Sequence, residues 1–314
     1  MAVAVLINGW DVNLWADGFR SVAGNRDTRL YPDEIGERAD IEYALCWRPT
    51  PGALKTFPNL KAIFSLGAGV DAILKDTELP DVPIARIVDP DMTMRMSEYV
   101  VQHVLMHHRQ QRRLDEMQRN ADWSWFSQWP ASAVRVGVLG LGALGSDAAR
   151  KLRMMGFQVA GWSQSKKSIP DVECFAGAQE LDPFLKRTDI LVCLLPATPG
   201  TRGIINRSLI RKLAKDGPLG GPVIVNPGRG EHQVEADILA ALDQGELLAV
   251  TLDVAQTEPL PKESPLWRHP KVTITPHLAA DSDTSTICRN IVRQMERFEK
   301  GQPLENLVDR RKGY

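Results

Sequence analysis

The sequence predicts an α/β protein built from two parallel-sheet domains. Three observations carry that expectation. Short apolar runs alternate with longer helix-like segments along the whole chain, the pattern of βαβ units. Polar or Pro/Gly-containing connections separate them. At 314 residues the chain is long for one domain and comfortable for two.

In order, the first hundred residues hold strand candidates at Ala2–Ile7, 43–47, 61–65 and 84–87. A helix is expected to begin near Ser97, read as its N-cap with Glu98 in the first turn. Its residues Val100, Val101, Val104 and Leu105 keep helical spacing. The charged run 109–119 follows as a solvated face, and then a Trp-rich irregular stretch at 122–130. A second series places strands at 134–139, 157–162, 190–195, Val223–Asn226, 248–253 and 272–275. Helices are expected over 143–155, 236–242 and 284–300.

Composition narrows the function classes. A hydrophobic fraction of 43% with 25% charged residues is ordinary for a globular protein. Net charge of −1 argues for neither nucleic acid nor an anionic membrane as partner. The tryptophans between Trp123 and Trp129 are no nucleic-acid platform, because acids balance the nearby bases. Cys46, Cys174, Cys193 and Cys288 form no C-x-x-C pair and read as small hydrophobes, which suits a reducing compartment. The opening MAVAVLINGW lacks a basic leader region and reads as a first strand. No stretch approaches the ~20 apolar residues of a membrane span, so a cytoplasmic protein is expected. His103 and His107 stand four apart with His108 adjacent, but HVLMH lacks the Glu of a zinc-protease helix. They are read as interface or core groups, and no metal is expected.

Residues 138–145 read VLGLGALG, with Gly140, Gly142 and Gly145 in G-x-G-x-x-G spacing between an apolar strand and a helix opening at Ala143 and Leu144. Dinucleotide binding needs that arrangement. The first glycine allows the tight turn, the second lets backbone approach a pyrophosphate, and the third permits close helix–strand packing. The helix N-terminus then presents N–H groups to the phosphates. The next strand should end beside the adenosine ribose, where an acid selects NAD. Here the chain reads WSQSKK, and the nearest acid is Asp171, beyond Pro170. Ser163, Gln164, Ser165, Lys166 and Lys167 offer hydroxyls, an amide and two cations, which suit a 2′-phosphate. The expected cofactor is therefore NADP(H), with NAD(H) possible.

Three later segments each place one polar group at the end of an apolar strand: VIVNPGRG with Arg229, LDVAQTEPLP with Glu258, and VTITPHLAA with His277. Parallel strands put their carboxyl ends on one edge, so the three can converge. Taken with the glycine fingerprint and SLGAGVD at 65–71, this order resembles the D-isomer-specific 2-hydroxyacid dehydrogenase family over essentially the whole chain. ESPLWRHPKVTITPH and WSQSKK narrow the resemblance to its glyoxylate/hydroxypyruvate reductase A branch. Arg95-Met96-Ser97 replaces the family's usual Thr/Ala-rich run, and Gln164 stands where close relatives tend to carry Arg.

The resemblance implies a Rossmann-type cofactor domain at 99–279 inserted into a smaller flavodoxin-like substrate domain at 1–98 plus 280–314. His277 is the natural proton donor near neutral pH. Glu258 would orient the imidazole and, as a nearby anion, favour its charged form. Arg229 can grip a carboxylate and polarise the carbonyl. Leu66, Gly67, Ala68 and Gly69 would supply N–H groups to the substrate carboxylate, and Trp47 would wall the pocket. Leu195, Pro196, Thr201, Pro227 and Gly228 are expected along the cofactor, with Asp253 beside the nicotinamide amide. The expected reaction is NADPH-dependent reduction of glyoxylate or hydroxypyruvate by a homodimer. The alternatives are an NAD-linked dehydrogenase of another 2-hydroxy acid and a non-enzymatic, nucleotide-sensing corepressor. A formate dehydrogenase is disfavoured by Glu rather than Gln at 258.

Overall fold

The structure, a computed structural model, describes residues 1–281 and 283–314. The chain divides into two compact units, Met1–Met92 with Ser282–Tyr314, and Thr93–Asp281. The helices in chain order are α1 (Val12–Arg20), α2 (Asp71–Leu74), α3 (Pro90–His108), α4 (Gln111–Arg119), α5 (Ala143–Met154), α6 (Leu181–Lys186), α7 (Arg207–Lys212), α8 (Glu235–Asp243) and α9 (Thr284–Glu299).

The first unit holds β1 (Ala2–Ile7), β2 (Asp27–Leu30), β3 (Ile41–Trp47), β4 (Ala62–Ser65) and β5 (Ile84–Ala85), in the order β2-β1-β3-β4-β5. Every neighbouring pair is parallel. β1 and β3 are buried along nearly their full length, which explains the apolar runs at 2–7 and 43–47. This order reverses direction between β1 and β3, the topological switch point at which open α/β sheets bind ligands. α1 lies against α9 so closely that a Cβ on Gly18 would sit 2.7 Å from Thr284 Cγ2.

The second unit holds β6 (Arg135–Leu139), β7 (Gln158–Ser163), β8 (Glu173–Ala176), β9 (Ile190–Cys193), β10 (Val223–Asn226), β11 (Ala249–Leu252) and β12 (Val272–Ile274). Their order is β12-β11-β10-β9-β6-β7-β8, again all parallel. Its switch point lies between β6 and β9. One core cluster packs α3 and α5 residues such as Val100, Val104 and Leu152 on β6, and another packs α6–α8 residues on β9–β11.

Every strand expected from the apolar runs is present, with ends moved by at most two residues. β2 and β8 were not expected. Both are edge strands whose residues are mostly half-exposed, so DTRL and ECFA carry little apolar signal. The helix expected from Ser97 begins instead at Pro90. Asp89 accepts from Met92 N at 2.9 Å, and proline at the first helical position needs no N–H acceptor. Ser97 lies inside α3, fully buried, and its hydroxyl donates to Asp147 Oδ2 at 2.6 Å. Cys46, Cys193 and Cys288 are buried and Cys174 is half-buried; all four are free thiols. Among the described residues no helix is long and apolar enough to cross a membrane.

Candidate active site

β6 ends in a turn whose glycines have different reasons. Gly140 takes φ +99°, and a Cβ there would lie 2.5 Å from the Leu194 carbonyl oxygen. A Cβ on Gly145 would run into the Gly140 carbonyl. Gly142 is different: its φ is −74°, and an added Cβ would meet nothing within 4 Å. The space before it is open while the backbone would tolerate a side chain. Gly142 is also the N-cap of α5, with no side-chain hydrogen bond closing that end. The N–H groups of Ala143, Leu144 and Gly145 lie in the first turn, where a helix provides no acceptor of its own. Open room and outward donors on a helix of 12 residues fit a pyrophosphate.

Gly140 N donates to the Trp162 carbonyl at 2.8 Å, tying this turn to the end of β7. Gln164, Ser165, Lys166 and Lys167 there are exposed. Ser163 is buried and donates its hydroxyl proton to the Ser165 carbonyl at 2.7 Å, so the expected Ser163 donor to a phosphate is already used inside the loop. Along the neighbouring strand, Leu195 is buried in the β9–β11 core. Thr201 donates to the Pro196 carbonyl at 2.7 Å and accepts from Thr198 N at 2.9 Å, knotting its loop.

Arg229, Glu258 and His277 follow β10, β11 and β12 in turn. His277 Nδ1 lies 2.9 Å from Glu258 Oε2, with both side chains partly exposed. An ionised carboxylate only accepts, so Nδ1 carries the proton on that side and Nε2 is left to exchange one elsewhere. His277 adopts φ +57°, uncommon for a residue with a side chain. Its N–H donates to the Asp253 carbonyl at 2.8 Å. Asp253 is buried, and its carboxylate accepts from Thr275 Oγ1 (2.5 Å), Leu278 N (2.9 Å) and Ala279 N (3.0 Å). Three of about four acceptor positions are thus filled by the His277 loop, leaving one for a further donor. Burial pushes the Asp253 carboxyl up, opposed by these hydrogen bonds and by His277.

The Arg229 turn is folded by residues without an expected role. Fully buried Asn226 donates to the Arg229 carbonyl at 3.2 Å and accepts from Gly228 N at 3.2 Å. Pro227 and Gly228 are buried, and Gly228 passes so near Cys193 that a Cβ would lie 3.0 Å from its carbonyl. Fully buried His232 accepts from Arg229 N at 3.3 Å and donates to the Pro196 carbonyl at 3.2 Å, joining the arginine turn to the Pro196 loop. The segment VIVNPGRG contains Asn226, whereas His232 lies just beyond it and carries no signal in the sequence.

In the first unit, the loop after β4 is knotted by Ser65, whose hydroxyl lies 3.0 Å from the Gly67 carbonyl and 3.3 Å from Gly67 N. Leu66 N donates to the Cys46 carbonyl at 3.0 Å. Of the expected donors, Leu66 N is taken by the Cys46 carbonyl and Gly67 N by Ser65 Oγ. Trp47 closes on this loop: a Cβ on Gly67 would strike its ring. Trp10 stacks on Trp47 with centroids 3.9 Å apart and planes within 9°. Trp47 ends β3 and Trp10 follows β1, the two strands that flank the switch point. Among the described residues no cluster of three or more His, Cys, Asp or Glu could hold a metal ion. His103 and His108 are buried on α3.

Residues 101–279 match the family described as D-isomer specific 2-hydroxyacid dehydrogenase, NAD binding domain. The chain is 39% identical over 311 residues to glyoxylate/hydroxypyruvate reductase A of Escherichia fergusonii, covering 97% of each. It is similar to the solved NADPH-dependent glyoxylate/hydroxypyruvate reductase of Sinorhizobium meliloti in complex with NADP and sulfate, at 44% identity and TM-score 0.94 over 100% of both chains. It is also similar to a probable 2-hydroxyacid dehydrogenase of Rhizobium etli CFN 42 in complex with NADP, HEPES and L(+)-tartaric acid. There the identity is 46% and the TM-score 0.95, over 100% of this chain and 99% of the other.

Proposed function

Because the chain belongs to the D-isomer specific 2-hydroxyacid dehydrogenase family, we propose that it is an NADPH-dependent reductase of small 2-keto acids, turning glyoxylate into glycolate and hydroxypyruvate into D-glycerate. The observation that carries this is the His277–Glu258 pair at 2.9 Å on the edge that also bears Arg229.

Bound NADPH supplies the hydride that reaches C2 of the keto acid. The protein's task is to handle the charge and the proton. Arg229 holds the substrate carboxylate and polarises the C2 carbonyl, stabilising negative charge as it grows on oxygen. His277, protonated and oriented by Glu258, gives its Nε2 proton to that oxygen. Within the first unit, the loop carrying Ala68 and Gly69 and the Trp47 ring beside it suit a small carboxylate. The helix end at Gly142 receives the pyrophosphate. Lys166 and Lys167, with no acid beside them in the WSQSKK stretch, favour a 2′-phosphate over a bare ribose hydroxyl. The remaining acceptor of Asp253 takes the nicotinamide carboxamide. The protein acts in the cytoplasm as a homodimer.

The test is reduction of hydroxypyruvate with assignment of the product. D-Glycerate is expected, and His277→Ala should lower kcat about 10²- to 10⁴-fold while the Kd for NADPH changes less than about twofold. Loss of NADPH binding without loss of kcat would contradict the role of His277, and L-glycerate would contradict the reaction.

A further inference from the structure

The HVLMHH stretch of α3 that no metal explains belongs to a polar stripe facing the catalytic edge. Tyr99, His103 and His107 stand at i, i+4 and i+8, so they share one face of the helix. Tyr99 Oη lies 2.7 Å from Thr275 Oγ1, and His107 Nε2 lies 2.9 Å from Thr251 Oγ1. His103 Nδ1 lies 2.9 Å from the Tyr99 carbonyl, and its ring lies against the Tyr99 ring with centroids 4.0 Å apart. The stripe meets β11 and the ends of β11 and β12, the strands leading to Glu258 and His277.

The directions of these hydrogen bonds can be assigned. Thr275 Oγ1 sits 2.5 Å from Asp253 Oδ1, and a carboxylate accepts without donating, so the threonine proton points at Asp253. Thr275 Oγ1 must then accept from Tyr99, giving a one-way chain from the Tyr99 hydroxyl through Thr275 to Asp253. Burial drives the phenol's ionisation upward, so Tyr99 stays a donor. The chain ends on the carboxylate that also holds Leu278 N and Ala279 N, while the Asp253 carbonyl holds His277 N. The left-handed turn at His277 is thus suspended from Asp253 on both sides.

We propose that Tyr99 is a positioning residue for proton transfer: through Thr275 it fixes the proton of the Asp253 hydrogen bond and so keeps Asp253 anionic beneath the His277 loop. The proposal rests on His277 being the proton donor. The titratable groups acting on Asp253 are His277 from the loop after β12, and Tyr99 and His103 from α3. His103 is held neutral, because burial lowers its proton affinity. Asp253 therefore supplies negative charge beneath the His277 loop. Its carboxyl is already raised by burial, and the Thr275 hydrogen bond opposes that rise. Removing the Tyr99 hydroxyl removes the donor that polarises the Thr275 hydroxyl, so its hydrogen bond to Asp253 weakens, Asp253 takes up a proton more readily, and negative charge beneath the His277 loop is lost.

The experiment is the pH profile of kcat for glyoxylate reduction by Tyr99→Phe and Thr275→Ser, each with its melting temperature. Tyr99→Phe should lower kcat about fivefold near neutral pH, move the alkaline limb about half a unit to lower pH, and leave the KM for NADPH within about twofold. Thr275→Ser keeps the hydroxyl and should retain the wild-type profile. A Tyr99→Phe enzyme that melts lower with its alkaline limb unmoved would overturn the proposal, as would one whose kcat is unchanged. A wild-type protein inactive on every keto acid would instead overturn the reading of the site.

Discussion

The turn at 140–145 and the loop at 163–167 close neighbouring parallel strands, yet what they present there is built by different means. In the first, shape does the work. Gly140 and Gly145 are required by backbone atoms 2.5 Å or nearer to any added Cβ, and Gly142 guards open space. In the second, the backbone demands nothing comparable, and what it offers is exposed cations and the lack of an acid. Backbone geometry is costly to change and serves any dinucleotide. Charge on exposed side chains is easy to change and separates one dinucleotide from another.

The largest effect should come from Gly145→Val, which drives a side chain into the Gly140 carbonyl. Loss of soluble, folded protein is expected, since overpacking of this kind costs about 1–3 kcal/mol or more; a melting scan with normal Tm would show that the turn can yield. Gly142→Ala separates shape from stability. The methyl meets nothing in the protein and φ is ordinary, so stability should hold or rise by about 0.4–1 kcal/mol. The Kd for NADPH should nevertheless rise tenfold or more, from about 1–3 kcal/mol of crowding at the phosphates. Unchanged binding by titration would mean the open space is not the pyrophosphate's. In the charged loop, Lys166→Ala with Lys167→Ala should raise the KM for NADPH about tenfold and leave that for NADH unchanged. Equal effects on both would remove the lysines from 2′-phosphate recognition.

A pH-dependent effect lies on α3. Burial holds the His107 imidazole down at about 3, against an ordinary value of 6.5. Above pH 6.5 the residue is neutral whether folded or unfolded, and its contribution to stability is complete. As pH falls below 6.5 the unfolded chain binds a proton that the native state refuses, so stability declines progressively toward pH 3. The slope of Tm against pH between 6.5 and 4 should flatten in His107→Gln; an unaltered slope would place the acid sensitivity elsewhere.

Much of this was legible in the sequence because it depends on local spacing. Buried parallel strands are continuous apolar runs, so β1, β6, β9, β10 and β11 stood out. The glycine turn announced itself through spacing, and Arg229, Glu258 and His277 through strand ends. Edge strands β2 and β8 did not, since half-exposed residues carry no periodic signal. Ser97 misled because a capping residue and a buried hydroxyl paired with a distant Asp147 look alike in one dimension. The same limit hid Tyr99, Thr275 and His232. Their partners lie 176, 22 and 36 positions away, and only the folded chain brings them into register. Spacing alone also does not show that the Ser163 hydroxyl and Leu66 N–H donate inside their own loop or to a neighbouring strand.

The most direct test is steady-state reduction of glyoxylate by the purified protein, with NADPH and NADH compared side by side across their full concentration range. Turnover is expected, with a kcat/KM for NADPH at least about tenfold above that for NADH. Turnover with equal efficiency, or a preference for NADH, would contradict it.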